Sequence, residues 1–380
     1  MQPVRTAWER IGCVVLPPFV ALFLLSSACE SREPEVFSTA LPGDVFEQPP
    51  ASAPSAGASA AHALQQIGIA PTPRHFPRHS PDDIRDMMNR SAQLGTVAIL
   101  IYQWGDPQYK QVATRLVKLA REHRMTPVVG LSPTTLDQQR KELDVPANIR
   151  GSLGRPSFVD AAVRSAFVRA GQELAQLKVP YLCLATEINF LALQRMDEFL
   201  RFVAVYKETY RAVKRVAPET KVFVSFQYEF VRILDNKEPG KVSDHAKVID
   251  IFRPELDVLA ITSYPAEYYT DPDAMPVNYY SHLSRYTKQG DEAMVMEIGW
   301  PSSGVGTLAE QHRFVERLPN LLSGLAPSII AWSLLHDVRI SQFGNNLAST
   351  GLLTVDGQAK PAMEPFRQLA RYAAQTRTSP

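Results

Sequence analysis

The chain has 380 residues, of which 45% are hydrophobic, so it is long enough for a large globular domain and too apolar to be disordered throughout. Lysine and arginine total 40 and aspartate and glutamate total 39, and this net charge of +1 argues against a strongly basic nucleic-acid binder. The sequence has no internal repeat, which excludes collagen-like and solenoid architectures.

The first 29 residues have the pattern of a secretory signal. Arg5 and Arg10 form a positively charged leader, residues 11–25 form an apolar run, and small residues precede Cys29. This ending resembles the signal of bacterial lipoproteins, which implies that Cys29 is lipidated and anchors an exported protein to a membrane, on its periplasmic or cell-surface face. An uncleaved membrane anchor, or an ordinary signal with an incidental cysteine, are the alternatives.

Residues 30–63 are rich in proline, alanine and serine, and a segment of this composition cannot bury a core. We interpret it as a linker that holds the following domain away from the membrane. The folded domain is predicted to occupy residues 64–376. Cys183 is the single cysteine that follows Cys29, so no disulfide bond is expected inside the domain.

Eight short apolar runs, most of them followed by a helical pattern, fill the domain. They lie at residues 67–70, 96–102, 126–131, 179–185, 221–226, 256–262, 293–296 and 328–332. Strands that are apolar on both faces are typical of parallel sheets covered by helices, and eight of them predict an α/β fold, the (β/α)₈ barrel. The competing architecture is a doubly wound open sheet, but the first run is not followed by a GxGxxG turn. The polar stretches 132–155 and 232–250 are predicted to be loop insertions.

Two glutamates stand at the ends of apolar runs. Glu187 follows the fourth run and Glu297 follows the seventh, and active sites of such barrels lie at the carboxyl ends of the strands. Each glutamate alone could cap a helix or pair with an arginine. Because carboxylates are rarely buried unless they are paired or functional, the two together indicate a catalytic pair suited to hydrolysis of a glycosidic bond.

These residues carry a resemblance to the retaining (β/α)₈ glycoside hydrolases of clan A. Residues 297–302, EIGWPS, resemble the nucleophile motif of β-1,3-glucanases, and residues 263–265, SYP, resemble the endo-β-1,4-galactanases. The resemblance implies that Glu187 is the acid/base, that Glu297 is the nucleophile and that Tyr264 hydrogen-bonds the nucleophile. Most of the clan has asparagine before the acid/base, whereas this chain has Thr186, as a mannanase-like branch does.

Aromatic residues near the predicted strand ends suggest how a sugar would bind. Trp104, Trp300 and Trp332 follow or end the second, seventh and eighth runs, and the apolar face of a pyranose packs on such rings. The resemblance implies that Trp332 forms the floor of the site. Asn189, two residues after Glu187, is a further candidate for substrate binding.

The leading hypothesis is a membrane-tethered retaining β-glycoside hydrolase that is endo-acting on a β-linked polysaccharide or oligosaccharide and needs no metal or organic cofactor. A transglycosylase differs only in whether water or a second sugar reaches the intermediate. A non-catalytic carbohydrate-binding lipoprotein on the same scaffold is the alternative from another class, since fold does not fix function.

Overall fold

The computed structural model describes residues 66–136, 140–151, 154–237, 245–288, 291–340 and 344–378. The predicted signal, the linker and Cys29 lie outside the described residues, so their boundaries stay predictions. Within the described residues, no helix is both long and apolar enough to cross a membrane.

A parallel sheet closes on itself and forms the centre of the domain. Its hydrogen-bonded order is β5-β4-β3-β2-β1-β9-β8-β7-β6, and every ladder is parallel. The strands are β1 (Gln66–Ile69), β2 (Val97–Gln103), β3 (Thr126–Ser132), β4 (Tyr181–Cys183), β5 (Lys221–Phe223), β6 (Ser225–Gln227), β7 (Val258–Ser263), β8 (Glu292–Ile298) and β9 (Ile329–Trp332). The predicted (β/α)₈ barrel is therefore confirmed.

The fifth predicted strand is divided in two. Val224 separates β5, which pairs with β4, from β6, which pairs with β7. The two ends of the sheet order are thus one continuous piece of chain, and this piece closes the barrel. Eight predicted strands and nine observed ones describe the same architecture.

Helices surround the barrel. They are α1 (Pro81–Leu94), α2 (Tyr109–Glu122), α3 (Ala147–Arg150), α4 (Ala161–Ala175), α5 (Asn189–Gln194), α6 (Met196–Val216), α7 (Tyr228–Lys237), α8 (His245–Asp250), α9 (Leu308–Leu322), α10 (Gly344–Ala348) and α11 (Met363–Thr378). Their buried apolar faces pack on strands that are buried along nearly their whole length, so one core fills the space between the two layers.

Local sequence sets where the helices begin and how closely they pack. Ser80 caps α1, because its hydroxyl accepts a hydrogen bond from the Asp83 N–H while the Asp83 carboxylate accepts one from the Ser80 N–H. Pro81, with its fixed φ, occupies the first helical position. Where α4 crosses α6, a Cβ added to Gly171 would lie 2.4 Å from Cγ2 of Thr209, so only glycine allows this approach.

Three connections differ from the sequence prediction. The stretch 132–155 contains α3, and the stretch 232–250 contains the end of α7 and α8, so neither is a plain loop. Between β7 and β8 the described chain forms three short 3-10 turns where a helix would be expected. Prolines at 265, 272 and 276 explain this difference, because each removes a backbone donor that a longer helix would need.

Candidate active site

Glu187 lies just beyond β4, at the carboxyl end of the barrel, in an unusual backbone conformation. Its φ of +52° is in the left-handed region, which costs a non-glycine residue on the order of 1 kcal/mol. The Ser225 hydroxyl lies 3.1 Å from the Glu187 N–H and accepts its hydrogen bond, and the N–H of Ile188 donates to the Ser225 carbonyl. These bonds to β6 hold the turn and direct the Glu187 side chain into the barrel mouth.

Both oxygens of the Glu187 carboxylate accept hydrogen bonds from the protein. Arg140 donates through Nε to Oε2 at 2.7 Å, and Thr262 donates through Oγ1 to Oε1 at 2.7 Å. The arginine and glutamate side chains are only 14% and 11% exposed, so water screens this ion pair little. The sequence left open that a glutamate at a strand end pairs with an arginine. Glu187 does form such a pair, and both residues line the cavity at the carboxyl end of the barrel.

Glu297 is the last residue but one of β8. The register between β7 and β8 shifts by one residue just before it, since Ile261 pairs with Val295 and Thr262 pairs with Glu297. Such an irregularity re-aims a side chain at a strand end. It puts Glu297 beside Thr262, the residue that donates to Glu187, and so brings the two carboxyl groups into one site.

Tyr264 is the hydrogen-bonding partner of Glu297. Its hydroxyl donates to Glu297 Oε2 at 2.7 Å, as the sequence resemblance implied. Burial, and then the charge of Glu187, raise the pKa of Glu297 to about 7. Burial and the charges of the two glutamates also raise the pKa of Tyr264 well above its ordinary value, so the tyrosine stays a hydrogen-bond donor at physiological pH.

The two glutamates and Tyr264 line one cavity of about 370 Å³ at the carboxyl ends of the strands. Most of the other lining side chains are apolar, and they come from the segments after nearly every strand. They include Phe76, Leu136, Phe190, Phe230, Ala266, Pro301, Val305, Leu334, Val338 and Leu347. The polar members include Thr72, Arg140, Thr186, Gln227, Glu267, Ser333, Asn346 and Thr350.

The three predicted sugar-stacking tryptophans are not among the residues that line this cavity, and each is at most 1% exposed. Trp104 packs against Phe158 and Phe167, behind the barrel wall. The stacking role predicted for the tryptophans is therefore wrong for this cavity, because their rings point into the layer between strands and helices.

The other two tryptophans are held by the surrounding helices. The ring of Trp300 lies 5.1 Å from that of Phe314 on α9. Trp332 packs against Phe366 on α11, and its indole N–H donates to the Thr350 carbonyl at 2.7 Å. Trp332 therefore does not form the floor of the cavity, and its neighbour Ser333 lines it instead.

Asn189 also has a structural position. It is 1% exposed, its amide N donates to the Gln227 carbonyl at 3.0 Å, and its amide oxygen accepts from the Gln227 N–H at 2.9 Å. The side chain thus imitates a strand pairing and fastens the start of α5 to β6. The substrate contact predicted for Asn189 is replaced by this bridge between two barrel positions.

Sequence reasoning missed Glu229, a buried carboxylate behind the site. It is 1% exposed and accepts hydrogen bonds from the Gln227 amide, the Ser263 hydroxyl, the Tyr264 N–H and the Tyr279 hydroxyl. It therefore fixes the backbone of the tyrosine that contacts Glu297. The signal was present in the sequence, because Glu229 follows the fifth apolar run as Glu187 follows the fourth.

Burial raises the pKa of Glu229 to about 7, above its ordinary value of 4.5. Between these values the folded protein holds a proton that the unfolded chain releases, so the stability contributed by this proton is present below pH 4.5 and lost as pH rises to 7. Replacing Glu229 with glutamine removes this titration. We expect the stability of Glu229→Gln relative to wild type to improve from pH 5 to pH 8, by at most about 3 kcal/mol.

Urea unfolding of both proteins at the two pH values measures this change. The control is Gln111→Ala, which replaces a non-titrating residue on the exposed side of α2, so the difference from wild type should be the same at both pH values. A pH-independent difference for Glu229→Gln, or a change of the opposite sign, would contradict the assignment of a titrating proton to Glu229.

No family model and no curated protein matches this sequence. Among solved structures, the chain is similar to GH5_18 from Streptomyces cattleya in complex with GlcNAc, with a TM-score of 0.65 and 18% identity over 84% of this chain and 82% of that one. A GH5_18 variant from Bifidobacterium longum in complex with Manβ1-4GlcNAc has a TM-score of 0.62 and 17% identity, over 83% and 79% of the two chains.

An exo-β-1,4-mannosidase from an Opitutaceae bacterium is also similar, with a TM-score of 0.63 and 15% identity over 84% of this chain and 62% of that one. At such identities the likeness shows the fold, which is the (β/α)₈ barrel that these glycoside hydrolases share. In the part of the chain that the structure describes, no group of three histidine, cysteine, aspartate or glutamate residues is arranged to hold a metal ion.

Proposed function

We propose that this protein is a retaining β-glycoside hydrolase. The observation that carries the proposal is the pair Glu187 and Glu297, which line one cavity at the carboxyl ends of the barrel strands. Thr262 donates a hydrogen bond to Glu187 and pairs with Glu297 in the sheet, so the two carboxyl groups are near each other. Cleavage of a glycosidic bond requires two such carboxyl groups in one cavity, one to protonate the leaving oxygen and one to attack the anomeric carbon.

In this mechanism Glu297 attacks the anomeric carbon while Glu187 gives a proton to the departing oxygen. The bond between the anomeric carbon and that oxygen breaks as the bond to Glu297 forms, which leaves a glycosyl ester on Glu297. Glu187 then takes a proton from water, the water oxygen bonds to the anomeric carbon as the ester bond to Glu297 breaks, and the sugar leaves with Glu297 ionised and Glu187 protonated again. Tyr264 positions Glu297 through its 2.7 Å hydrogen bond, so that the second carboxylate oxygen is available for the attack.

In the first step one of the two carboxyl groups must carry a proton and the other must be ionised. The proton must be on Glu187, but both carboxylate oxygens of Glu187 accept hydrogen bonds in this structure and so neither is free to carry it. Arg140 therefore has to move from Glu187 Oε2 before this oxygen can carry the proton to the substrate. The nearby Glu297 carboxylate, which must be ionised in the same step, provides a new partner for the displaced guanidinium.

The structural neighbours support β-linked sugars as substrates. Two of them hold GlcNAc or Manβ1-4GlcNAc, and a third is an exo-β-1,4-mannosidase. We therefore propose β-mannosides as the first substrates to test, with β-glucosides and β-galactosides after them. Endo action on a polysaccharide, predicted from the sequence, stays a prediction.

The test is a screen of the soluble domain against β-mannans, β-glucans, galactans and short β-linked oligosaccharides. We expect release of reducing sugar with retention of the anomeric configuration, which proton NMR detects in the first product. Products longer than the substrate would identify a transglycosylase, and products of mixed internal length would identify endo action. Sugar binding without any cleavage would overturn the proposal in favour of the non-catalytic alternative.

We also propose that Cys29 carries a lipid anchor, on the basis of the apolar run and the small residues before it. The substitution Cys29→Ser should move the protein from the membrane fraction to the soluble fraction without changing its thermal unfolding. The same substitution at Cys13, inside the apolar run, serves as the control and should leave fractionation unchanged. Membrane association of Cys29→Ser equal to that of wild type would reject the lipoprotein interpretation.

A further inference from the structure

The part of the cavity beside Glu187 contains two phenylalanines. Phe190 follows Glu187 on the first turn of α5, and its N–H donates to the Glu187 carbonyl at 3.1 Å. Phe230 comes from α7, and the centroids of the two rings are 4.4 Å apart. Both side chains are only partly buried and both line the cavity. Together they form an aromatic wall, defined here as Phe190 and Phe230, next to the proposed proton donor.

Three polar side chains on this side of the cavity are engaged with the protein itself. The amide of Gln227 donates to Glu229 at 2.7 Å and accepts from the Phe230 N–H at 2.8 Å. The hydroxyl of Thr186 donates to the Ser132 hydroxyl at 3.4 Å. Arg140, as described above, forms an ion pair with Glu187. Glu267 and Tyr268 also line the cavity; Glu267 is exposed and Tyr268 is half-buried, so both can be reached by water.

The leaving group of the proposed reaction must lie on this side, because Glu187 has to reach the glycosidic oxygen. The apolar face of a sugar leaving group can also pack on the aromatic wall, but its several hydroxyls need polar partners, and a hydroxyl removed from water without a partner weakens binding. An alkyl or aryl group needs no such partners and gains from contact with the aromatic wall.

We propose that the leaving-group side of this cavity binds an apolar aglycone, so that the substrates are β-glycosides of an alkyl or aryl alcohol. This proposal rests on the proposed function and makes it more specific. It predicts that the enzyme cleaves an alkyl glycoside in preference to a disaccharide with the same sugar at the cleaved bond.

The test compares octyl and methyl β-glycosides of the sugar preferred in the screen, at concentrations where octyl glycosides form no micelles. Both leaving groups are simple alkoxides of similar basicity, so a difference in kcat/KM reports contacts of the chain and not the chemistry. We expect kcat/KM for the octyl glycoside to exceed that for the methyl glycoside at least roughly tenfold, since each buried methylene favours binding. It should also exceed that for the matching β-1,4-linked disaccharide.

Phe190→Ala and Phe230→Ala should each lower the octyl-to-methyl ratio by roughly threefold or more while changing the methyl value less. Tyr372→Ala, at an exposed aromatic residue on α11, is the matched control and should leave the ratio unchanged. If either alanine variant does not fold, the leucine variant at that position removes the ring and keeps the volume. Equal values for octyl and methyl glycosides, preference for the disaccharide, or a ratio insensitive to both phenylalanines would overturn the proposal.

Calorimetric titration of octyl and methyl glycosides into Glu297→Gln separates this proposal from the proposed function. Cleavage of many glycosides without octyl preference rejects the apolar site and leaves the hydrolase intact. Absence of cleavage of any glycoside rejects the hydrolase. In that case equal affinity for both probes also rejects the apolar site, and tighter octyl binding that depends on Phe190 and Phe230 supports it.

Discussion

Glu297→Gln is expected to lower turnover by at least roughly 10³-fold, which is the effect of removing a residue that acts in covalent catalysis. The amide is neutral and a poor nucleophile, so the glycosyl ester cannot form. Its oxygen can still accept the hydrogen bond from Tyr264, so the fold should be kept. Steady-state kinetics on the best substrate of the screen, together with thermal unfolding, measure both effects.

A matched control lies on the same strand. Glu292→Gln changes a glutamate five residues earlier, at the opposite end of β8, where it forms an ion pair with Lys221. This variant should keep near-normal turnover. A 2-deoxy-2-fluoro glycoside, which slows hydrolysis of the intermediate, should add one sugar to the Glu297 peptide of the wild type and none to Glu297→Gln. Near-normal activity of a folded Glu297→Gln protein would reject Glu297 as the nucleophile.

Glu187→Ala is expected to produce the second large loss, of at least roughly 10²-fold on alkyl glycosides, because general acid catalysis typically contributes this much. Aryl glycosides with good leaving groups need little protonation, so their first step should be nearly preserved. Azide should then restore turnover by attacking the glycosyl ester without the help of a base. Burst kinetics on the aryl substrate and identification of the glycosyl azide measure these two effects.

The alkyl and aryl substrates are internal controls for each other, since they are assayed with one protein preparation. Equal impairment of both, with no recovery in azide, would show that Glu187 is not the acid/base. A second control is Thr262→Val, which removes one hydrogen bond to Glu187 and leaves the carboxyl group in place. Its effect should be much smaller than that of Glu187→Ala, and azide should not change it.

The barrel was predictable because its physical signal is local. Each strand is buried on both faces and therefore reads as a short apolar run, and the alternation with helical patterns is repeated along the chain. The carboxylates at 187 and 297 stood out against these runs for the same reason. Both were recognised in this way, and Glu229 would have followed from the same rule.

The same uniformity explains why the tryptophans were misplaced. A strand that is apolar on both faces has no alternation of polar and apolar residues, so the sequence does not tell which residues point inward. Trp332 and Ser333 are neighbours in the chain, and the smaller residue is the one in the cavity.

The sequence pattern did not predict which residues from distant segments contact the site. Arg140 lies 47 positions before the glutamate that it contacts, and Phe230 lies 40 positions after Phe190. These neighbours are brought together by the closure of the barrel, which no local pattern encodes. The contacts that define the cavity wall, and with it the substrate, were therefore the least predictable part of the molecule.

At Glu187, where the backbone is left-handed, the residue that would give the most stable fold differs from the residue that the proposed activity needs. At most positions in helices and strands, glycine makes the folded protein less stable than alanine does. At φ +52°, however, glycine adopts the backbone conformation without the strain that alanine would keep. The unfolding free energy of Glu187→Gly should therefore exceed that of Glu187→Ala by about 0.5–1 kcal/mol, although both variants lack the proposed acid/base. A barrel that only bound its ligand would gain stability from glycine here, so under the proposed function the acid/base role of Glu187 accounts for the strain at this position.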